Sequence, residues 1–129
     1  MQSITDAELQ ARLSRDQSPT DKITVVIIND HPLFRSGVRQ TLSAEPDIKV
    51  VGEGCSAADA LRLAQDERPD LMMLDMSMLG GGLSALLQMS ARYPDVKPLL
   101  LGGGADEQIR SALQNGAWGY LMRGAAGPS

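Results

Sequence analysis

The stretch Leu71-Met72-Met73-Leu74-Asp75 decides the fold of this chain, because it is a short apolar run that ends in a single carboxylate. The turn signal Arg68–Asp70 precedes it, and the glycines Gly80–Gly82 follow it. A continuous apolar run of this length between turn signals predicts a strand that is buried on both faces. Asp75 then lies at the carboxyl end of that strand, the edge of a parallel α/β sheet at which ligands bind.

A second apolar run, Ile23–Ile28, is rich in β-branched residues and predicts a central strand. It ends at Asn29-Asp30, and His31-Pro32 follows. Asp30 or His31 is placed to cap a helix, and Pro32 suits the first helical turn. Apolar residues then recur at helical spacing as Leu33, Phe34, Val38 and Leu42.

The rest of the chain continues to alternate between strand and helix signals. Further strands are predicted at residues 48–53, 71–75, 99–101 and 118–122, and further helices from Ser56 to the break at Pro69, at 83–93 and at 109–116. Four strand–helix units followed by a fifth strand predict an α/β fold with parallel strands and helices on both faces of the sheet.

The two ends of the chain differ from this central part. Residues 1–22 are polar and predict a loosely held arm, in which a short helix could start at Thr5 because Glu8 completes a capping box. Residues 124–129 form a tail too short and too rich in glycine and proline for a fifth helix. We therefore expect one domain at residues 23–123 that lacks its last helix. We favour truncation as the reason; the alternatives are that the arm around Leu9 and Leu13 covers the exposed face or that two chains exchange segments.

Composition excludes several classes of protein. With 129 residues and one cysteine, Cys55, the chain fits a single domain without an internal disulfide or a zinc cluster. A net charge of −4 argues against direct binding to nucleic acid, which needs clustered Lys and Arg. No run is long and apolar enough to span a membrane, and no signal peptide is evident. We expect a soluble cytoplasmic protein with no membrane contact.

Residues 23–123 resemble a response-regulator receiver domain of the NarL/FixJ branch, whose full-length members carry a LuxR-type helix-turn-helix. Four segments in the expected order carry the resemblance: Asn29–Gly37, Pro46–Glu53, the strand ending in Asp75, and Gly116–Arg123. The resemblance implies a flavodoxin-like, doubly wound sheet of five parallel strands. It also implies a role in two-component phosphorelay and transcription regulation, with a histidine kinase as partner, self-association, and DNA contact only through an output domain that is not in this chain.

The resemblance further implies that Asp75 is the phosphoacceptor and that Mg²⁺ is bound beside it. Asp30, Asp75 and the backbone carbonyl of Ser77 match the family's ligands, since this hard cation prefers oxygen. Asn29, however, stands where the family has the first of two acids. With one carboxylate fewer, we expect a weakened affinity for Mg²⁺.

Three further positions correspond to the family's switch residues. Gly102 replaces the usual Ser or Thr, Arg123 replaces the usual Lys, and Tyr120 matches the aromatic residue. Arginine keeps the positive charge but is a planar fork that could clamp a carboxylate with two hydrogen bonds. We therefore expect an atypical receiver with impaired phosphorylation, and we hypothesise that Arg123 pairs with Asp75.

Other interpretations of the same residues stay open. The glycine loops at Gly80–Gly82 and Gly102–Gly104 could admit a small anionic metabolite or nucleotide, as in a ligand-binding pseudo-receiver. Asp75 could also still accept phosphate despite the substitutions. No Ser or Cys sits in a nucleophile elbow, so a hydrolase triad has no support. We expect a signalling domain and not an enzyme. His31 and the methionines near residue 75 are expected to be structural.

Overall fold

The computed structural model describes residues 22–78, 80–103 and 106–122 of the chain. Within them, strands and helices alternate as β1 (Ile23–Ile28), α1 (Pro32–Ser43), β2 (Ile48–Gly54), α2 (Ala57–Glu67), β3 (Leu71–Asp75), α3 (Gly82–Arg92), β4 (Lys97–Gly102), α4 (Asp106–Gln114) and β5 (Gly119–Met122). This order confirms the predicted alternation. Residues 1–21 of the predicted arm, Arg123 and the tail at 124–129 lie outside the described residues.

All five strands are parallel and form one sheet in the order β2-β1-β3-β4-β5. The chain leaves β1 toward one edge of the sheet and leaves β3 toward the other edge. The connections therefore diverge between these two central strands, which opens a crevice at their carboxyl ends. This arrangement confirms the flavodoxin-like fold.

The pairing of β1 with β3 aligns the two ends that form this crevice. The strands pair from Val25 with Leu71 to Ile28 with Leu74. At the opposite end of the pair, the backbone N–H of Thr24 donates to Asp70 Oδ2 at 2.9 Å, and the N–H of Asp70 donates to Thr24 Oγ1 at 2.9 Å. These reciprocal bonds favour one register, because a shift by one residue would invert every side chain of the strand.

The core lies in two clusters on opposite faces of the sheet. The larger one joins the sheet to α2, α3 and α4, and the smaller one joins it to α1. Met72 and Met78 belong to the larger cluster and Met73 to the smaller one, while Met76 packs against the larger cluster. The methionines thus serve as packing, as predicted.

Several local predictions were confirmed and others were wrong. Ser56 caps α2 as predicted, because its hydroxyl oxygen accepts a hydrogen bond from the Asp59 N–H at 3.2 Å. Helix α1 begins at Pro32 and its N-cap residue is His31, one of the two predicted caps, but the imidazole makes no capping hydrogen bond. Strand β5 begins at Gly119, so Trp118, which is 61% exposed, precedes it. In the described part of the chain, no helix has the length and apolar character needed to cross a membrane.

Candidate functional site

The candidate site lies where β1 and β3 end side by side at the carboxyl edge of the sheet. Asp75, the last residue of β3, is fully buried, and Asn29, which follows β1, is only 1% exposed. Burial of a carboxylate is costly unless hydrogen bonds or opposite charges compensate for it. The groups around Asp75 therefore determine what this carboxylate can do.

The side chain of Asn29 is the nearest such group from β1. Its amide nitrogen Nδ2 donates a hydrogen bond to Asp75 Oδ2 at 2.6 Å. Its amide oxygen accepts a hydrogen bond from the backbone N–H of His31, also at 2.6 Å. Because this N–H requires an acceptor, the oxygen must face His31 and the NH₂ group must face Asp75. Asn29 therefore presents a donor to the carboxylate where an acid would present a second negative charge.

The loop after β3 supplies further donors to Asp75. The backbone N–H and the hydroxyl of Ser77 both donate to Asp75 Oδ1 at 2.9 Å. Gly82 closes this loop so tightly that an added Cβ would lie 2.6 Å from the backbone oxygen of Asp75 and from Met76 Cα. The glycine is therefore required for close packing under the site, a steric role that sequence reasoning missed.

Asp30 and His31 lie at the mouth of the site. His31 Nδ1 is 2.9 Å from Asp30 Oδ1, and the Asp30 side chain is 34% exposed. One ligand atom from each of Asp30, His31 and Asp75 lies within 4.8 Å of the others. Two carboxylates at this separation fit Mg²⁺, whereas an imidazole nitrogen is better suited to transition metals. Asp30 and Asp75 are thus the members of this cluster that fit Mg²⁺.

Arg35, which sequence reasoning did not single out, holds the turn that carries Asn29. Its Nη1 donates to the backbone oxygen of Asn29 at 2.6 Å, and its Nε donates to Glu53 Oε1 at 3.2 Å. The guanidinium thereby ties the ends of β1 and β2 to helix α1. Nothing in the linear sequence marks this contact, because Arg35 and Glu53 lie on elements whose proximity arises only in the folded sheet.

The predicted switch positions Gly102 and Tyr120 are also in contact. Gly102 is buried at the end of β4, and an added Cβ there would lie 2.8 Å from Tyr120 Cζ and closer still to the phenol oxygen. The phenol also donates a weak hydrogen bond to Gln108 Oε1 of α4 at 3.4 Å. The ring of Tyr120 thus occupies the space that a side chain at residue 102 would fill. Arg123 lies outside the described residues.

A cavity of about 580 Å³ opens beside the site on the side of α1. It is lined by Asn29, His31, Leu33, Phe34 and Ser77. Leu33 is 90% exposed, so the apolar stripe predicted for α1 includes a residue that faces solvent rather than the core. The cavity combines amide and hydroxyl groups with two apolar side chains.

Comparison with known proteins identifies relatives of this chain. The sequence model of the family described as the response regulator receiver domain matches residues 25–126. The transcriptional regulatory protein DegU of Brevibacillus brevis is 39% identical over 110 residues, which cover 84% of this chain and 47% of DegU. The nitrate/nitrite response regulator protein NarL of Escherichia coli K12 is 35% identical over 108 residues, which cover 82% of this chain and 50% of NarL. The chain therefore spans about half the length of these curated relatives.

Solved structures agree with these sequence matches. The signal receiver domain of a response regulator NarL from Mycobacterium tuberculosis superposes with a TM-score of 0.78 at 34% identity, and the match covers 82% of this chain and 87% of that one. A LuxR-family response regulator from Aurantimonas sp. SI85-9A1 superposes with a TM-score of 0.76 at 24% identity, covering 81% and 76% of the two chains. The latter likeness shows a shared fold.

Proposed function

This chain belongs to the response regulator receiver domain family, and we propose that it is an atypical receiver that signals through protein–protein contacts while phosphoryl transfer to Asp75 is weakened. Its relatives are LuxR-family regulators of two-component signalling, in which receiver domains generally act as signalling rather than enzymatic modules. The observation that carries the proposal is the hydrogen bond from Asn29 Nδ2 to Asp75 Oδ2.

This hydrogen bond bears directly on the chemistry of a phosphoacceptor. In phosphoryl transfer, an Asp75 oxygen would form a bond to phosphorus while the donor–phosphorus bond breaks and its electron pair leaves with the donor. A hydrogen bond from Asn29 withdraws electron density from the attacking carboxylate. Ser77 donates two more, so the resting carboxylate is well stabilised before any donor arrives.

A bound Mg²⁺ would neutralise the negative charge that gathers on the transferring group. Asp30, Asp75 and the backbone carbonyl of Ser77 are the groups that would hold it. Because Asn29 supplies an amide where the resemblance implies an acid, the site has two carboxylates instead of three. Since affinity for such cations rises with the number of ligand charges, we propose a low affinity for Mg²⁺.

Two further departures support weakened phosphorylation. Gly102 has no hydroxyl that could hydrogen-bond to a phosphoryl group on Asp75. Arg123 keeps a positive charge at the position of the family's lysine, and we propose it as an additional partner of the Asp75 carboxylate in the absence of phosphate.

The proposed partners follow from the relatives. We propose that a histidine kinase, a second copy of the chain, and a DNA-binding output domain are the proteins with which this receiver interacts. The chain covers 47% of DegU and 50% of NarL, which leaves room in such relatives for an output domain. DNA contact would belong to that domain, because this chain carries a net charge of −4.

The test is the intact mass of the protein after incubation with Mg²⁺ and acetyl phosphate, run beside Asp75→Ala and Asn29→Asp. We expect little or no added phosphoryl group on the unaltered chain, a clear gain in Asn29→Asp, and none in Asp75→Ala. Rapid, complete addition of one phosphoryl group to the unaltered chain, lost in Asp75→Ala, would overturn the impairment and establish a working receiver.

A ligand-binding pseudo-receiver is a second candidate, which the cavity of about 580 Å³ beside Asn29 and Ser77 favours. Its volume lies within the range of small-molecule sites. Native mass spectrometry of the purified protein tests this candidate. A retained metabolite that is lost in Ser77→Ala would support it, and a protein of unliganded mass that binds no nucleotide or metabolite would refute it.

A further inference from the structure

Gly102 is a glycine for reasons of space and not of backbone conformation. The described glycines with positive φ are Gly80, Gly81 and Gly116, so the backbone at residue 102 would accept any L-residue. An added Cβ, however, would overlap the phenol of Tyr120 and would lie 3.2 Å from Met76 Cγ. The position therefore has no room for a side chain as long as Tyr120 stays where it is.

The ring of Tyr120 is held in place by the larger core cluster and by helix α4. It is partly buried and packs against the larger core cluster, as does Met76 in the loop after β3. Its hydroxyl lies 3.4 Å from Gln108 Oε1 on α4. The ring therefore links β5 to α4 and to the larger core cluster.

We propose that Tyr120 stays permanently inside the fold because residue 102 has no side chain. The face formed by α4 and β5 then has one state, whether or not Asp75 is modified. A two-state element needs two positions of comparable free energy. Here the inward position fills the space above Gly102 with a partly buried ring, and the outward position would leave that space empty. Vacating it would cost the burial of the ring and would leave a void.

Gly102 lies between Asp75 and β5, where a side chain could transmit a structural change from the site to Tyr120. Asp75 is paired with Leu101, and the N–H of Met76 donates to the backbone oxygen of Leu101 at 2.8 Å. Gly102, which follows Leu101 on β4, is therefore the first residue of the neighbouring strand beyond the position of Asp75. A movable side chain there could pass a change at Asp75 to Tyr120, whereas a glycine passes none.

This inference goes beyond the proposed function, and its test uses no phosphoryl transfer, so either can fail without the other. The chain has two tyrosines, Tyr93 and Tyr120, so selective ¹³C labelling of tyrosine rings gives two sets of NMR signals that Tyr93→Phe assigns. In the unaltered chain we expect nuclear Overhauser contacts between the Tyr120 ring and the Hα atoms of Gly102. We also expect weak broadening of the Tyr120 signals by a soluble paramagnetic agent.

The decisive variant is Gly102→Ala, and Gly103→Ala is its matched control, because an added Cβ at residue 103 meets nothing within 4 Å. In Gly102→Ala we expect the Tyr120 ring to lose its contact with residue 102 and to broaden several-fold more with the paramagnetic agent. In Gly103→Ala we expect neither change. A Tyr120 ring that stays buried and in contact with residue 102 in Gly102→Ala would overturn the proposal, as would a ring already exposed in the unaltered chain.

A double-mutant cycle keeps the proposal testable if Gly102→Ala folds poorly. We expect Gly102→Ala to lower the melting temperature of the unaltered chain, and to lower that of Tyr120→Ala much less. Of the three atoms nearest to the new Cβ, two belong to the Tyr120 ring and are absent in Tyr120→Ala. The third belongs to the side chain of Met76, which can move. An equal loss in both backgrounds would mean that Tyr120 is not what excludes a side chain from residue 102, and the proposal would fall.

Discussion

The amide of Asn29 and the carboxylate of Asp75 form a buried hydrogen bond of 2.6 Å across the ends of β1 and β3. Replacing the amide with a carboxylate in Asn29→Asp would place two like charges in contact. We expect the metal-free protein to lose about 1–3 kcal/mol in its free energy of unfolding. Affinity for Mg²⁺ should rise on the order of tenfold, since the site gains a ligand charge.

Urea unfolding in EDTA and in Mg²⁺ measures both effects of Asn29→Asp. The stabilisation by Mg²⁺ should be larger in the variant than in the unaltered chain, because ligands that bind only the folded state stabilise it. Equal stability in EDTA and equal stabilisation by Mg²⁺ would show that residue 29 does not control the charge at the site.

Arg35 and Arg39 both contact Glu53, but their surroundings differ. The Arg35 side chain is 22% exposed and also holds the backbone oxygen of Asn29, whereas the Arg39 side chain is 44% exposed. We expect Arg35→Ala to cost about 1.5–3 kcal/mol of unfolding free energy, because it removes hydrogen bonds from a charged donor. Arg39→Ala should cost less than about 1 kcal/mol. Equal losses in the two variants would contradict the positioning role of Arg35.

Leu86 and Leu87 are neighbours on α3 that differ in burial. Leu86 is fully buried in the larger core cluster, and Leu87 is 46% exposed. Truncation in Leu86→Ala should cost about 2–5 kcal/mol, since it removes buried apolar surface and leaves a cavity. Leu87→Ala should change stability by less than about 0.5 kcal/mol. Chemical denaturation of both variants checks the orientation of α3 on the sheet.

The lowered pKa of Asp59 in the folded chain leads us to predict that stability depends on pH. The backbone N–H of Cys55 donates to Asp59 Oδ2 at 2.9 Å, and with help from Arg62 it lowers the pKa of the Asp59 carboxyl below its ordinary value of 3.8. A lowered pKa means that the unfolded chain binds the proton more tightly. The resulting stabilisation is therefore complete above the ordinary pKa and is lost as the pH falls through the folded value.

The comparison of the unaltered chain with Asp59→Asn isolates this contribution. We expect the variant to be less stable at neutral pH and the difference to shrink as the solution becomes more acidic than the ordinary pKa. Asp66→Asn, an exposed position on the same helix, controls for the loss of one negative charge. A difference between the unaltered chain and Asp59→Asn that stays constant with pH would contradict this account.

Much of the fold could be predicted from local patterns. The β-branched run of β1 and the apolar run of β3 identify buried strands, and the breaks at Pro69 and Gly116 identify helix ends. His31 was one of the two predicted caps of α1, but the lack of a side-chain capping bond was not predictable. The His31 N–H instead donates to Asn29, the residue that follows β1. The exposure of Leu33 likewise depends on how α1 rests on the sheet.

The residues around Asp75 were named from the family resemblance, but their contacts depend on tertiary structure. The direction in which the Asn29 amide points is decided by the His31 N–H and the Asp75 carboxylate together. The packing of Tyr120 over Gly102 depends on the pairing of β4 with β5. Arg35 was missed because its acceptors belong to two segments, the end of β1 and the end of β2, that come together only in the folded sheet.

The pairing of β1 with β3 has a consequence for how the protein is made. Thr24 is bonded to Asp70, and Asn29 to Asp75, across 46 positions of sequence in each case. During synthesis, β1 and β2 leave the ribosome before β3 emerges, and closing the intervening loop carries an entropic cost. Asn29 therefore acquires its partner only after Asp75 has emerged, so the functional site and the centre of the sheet arise in the same folding event.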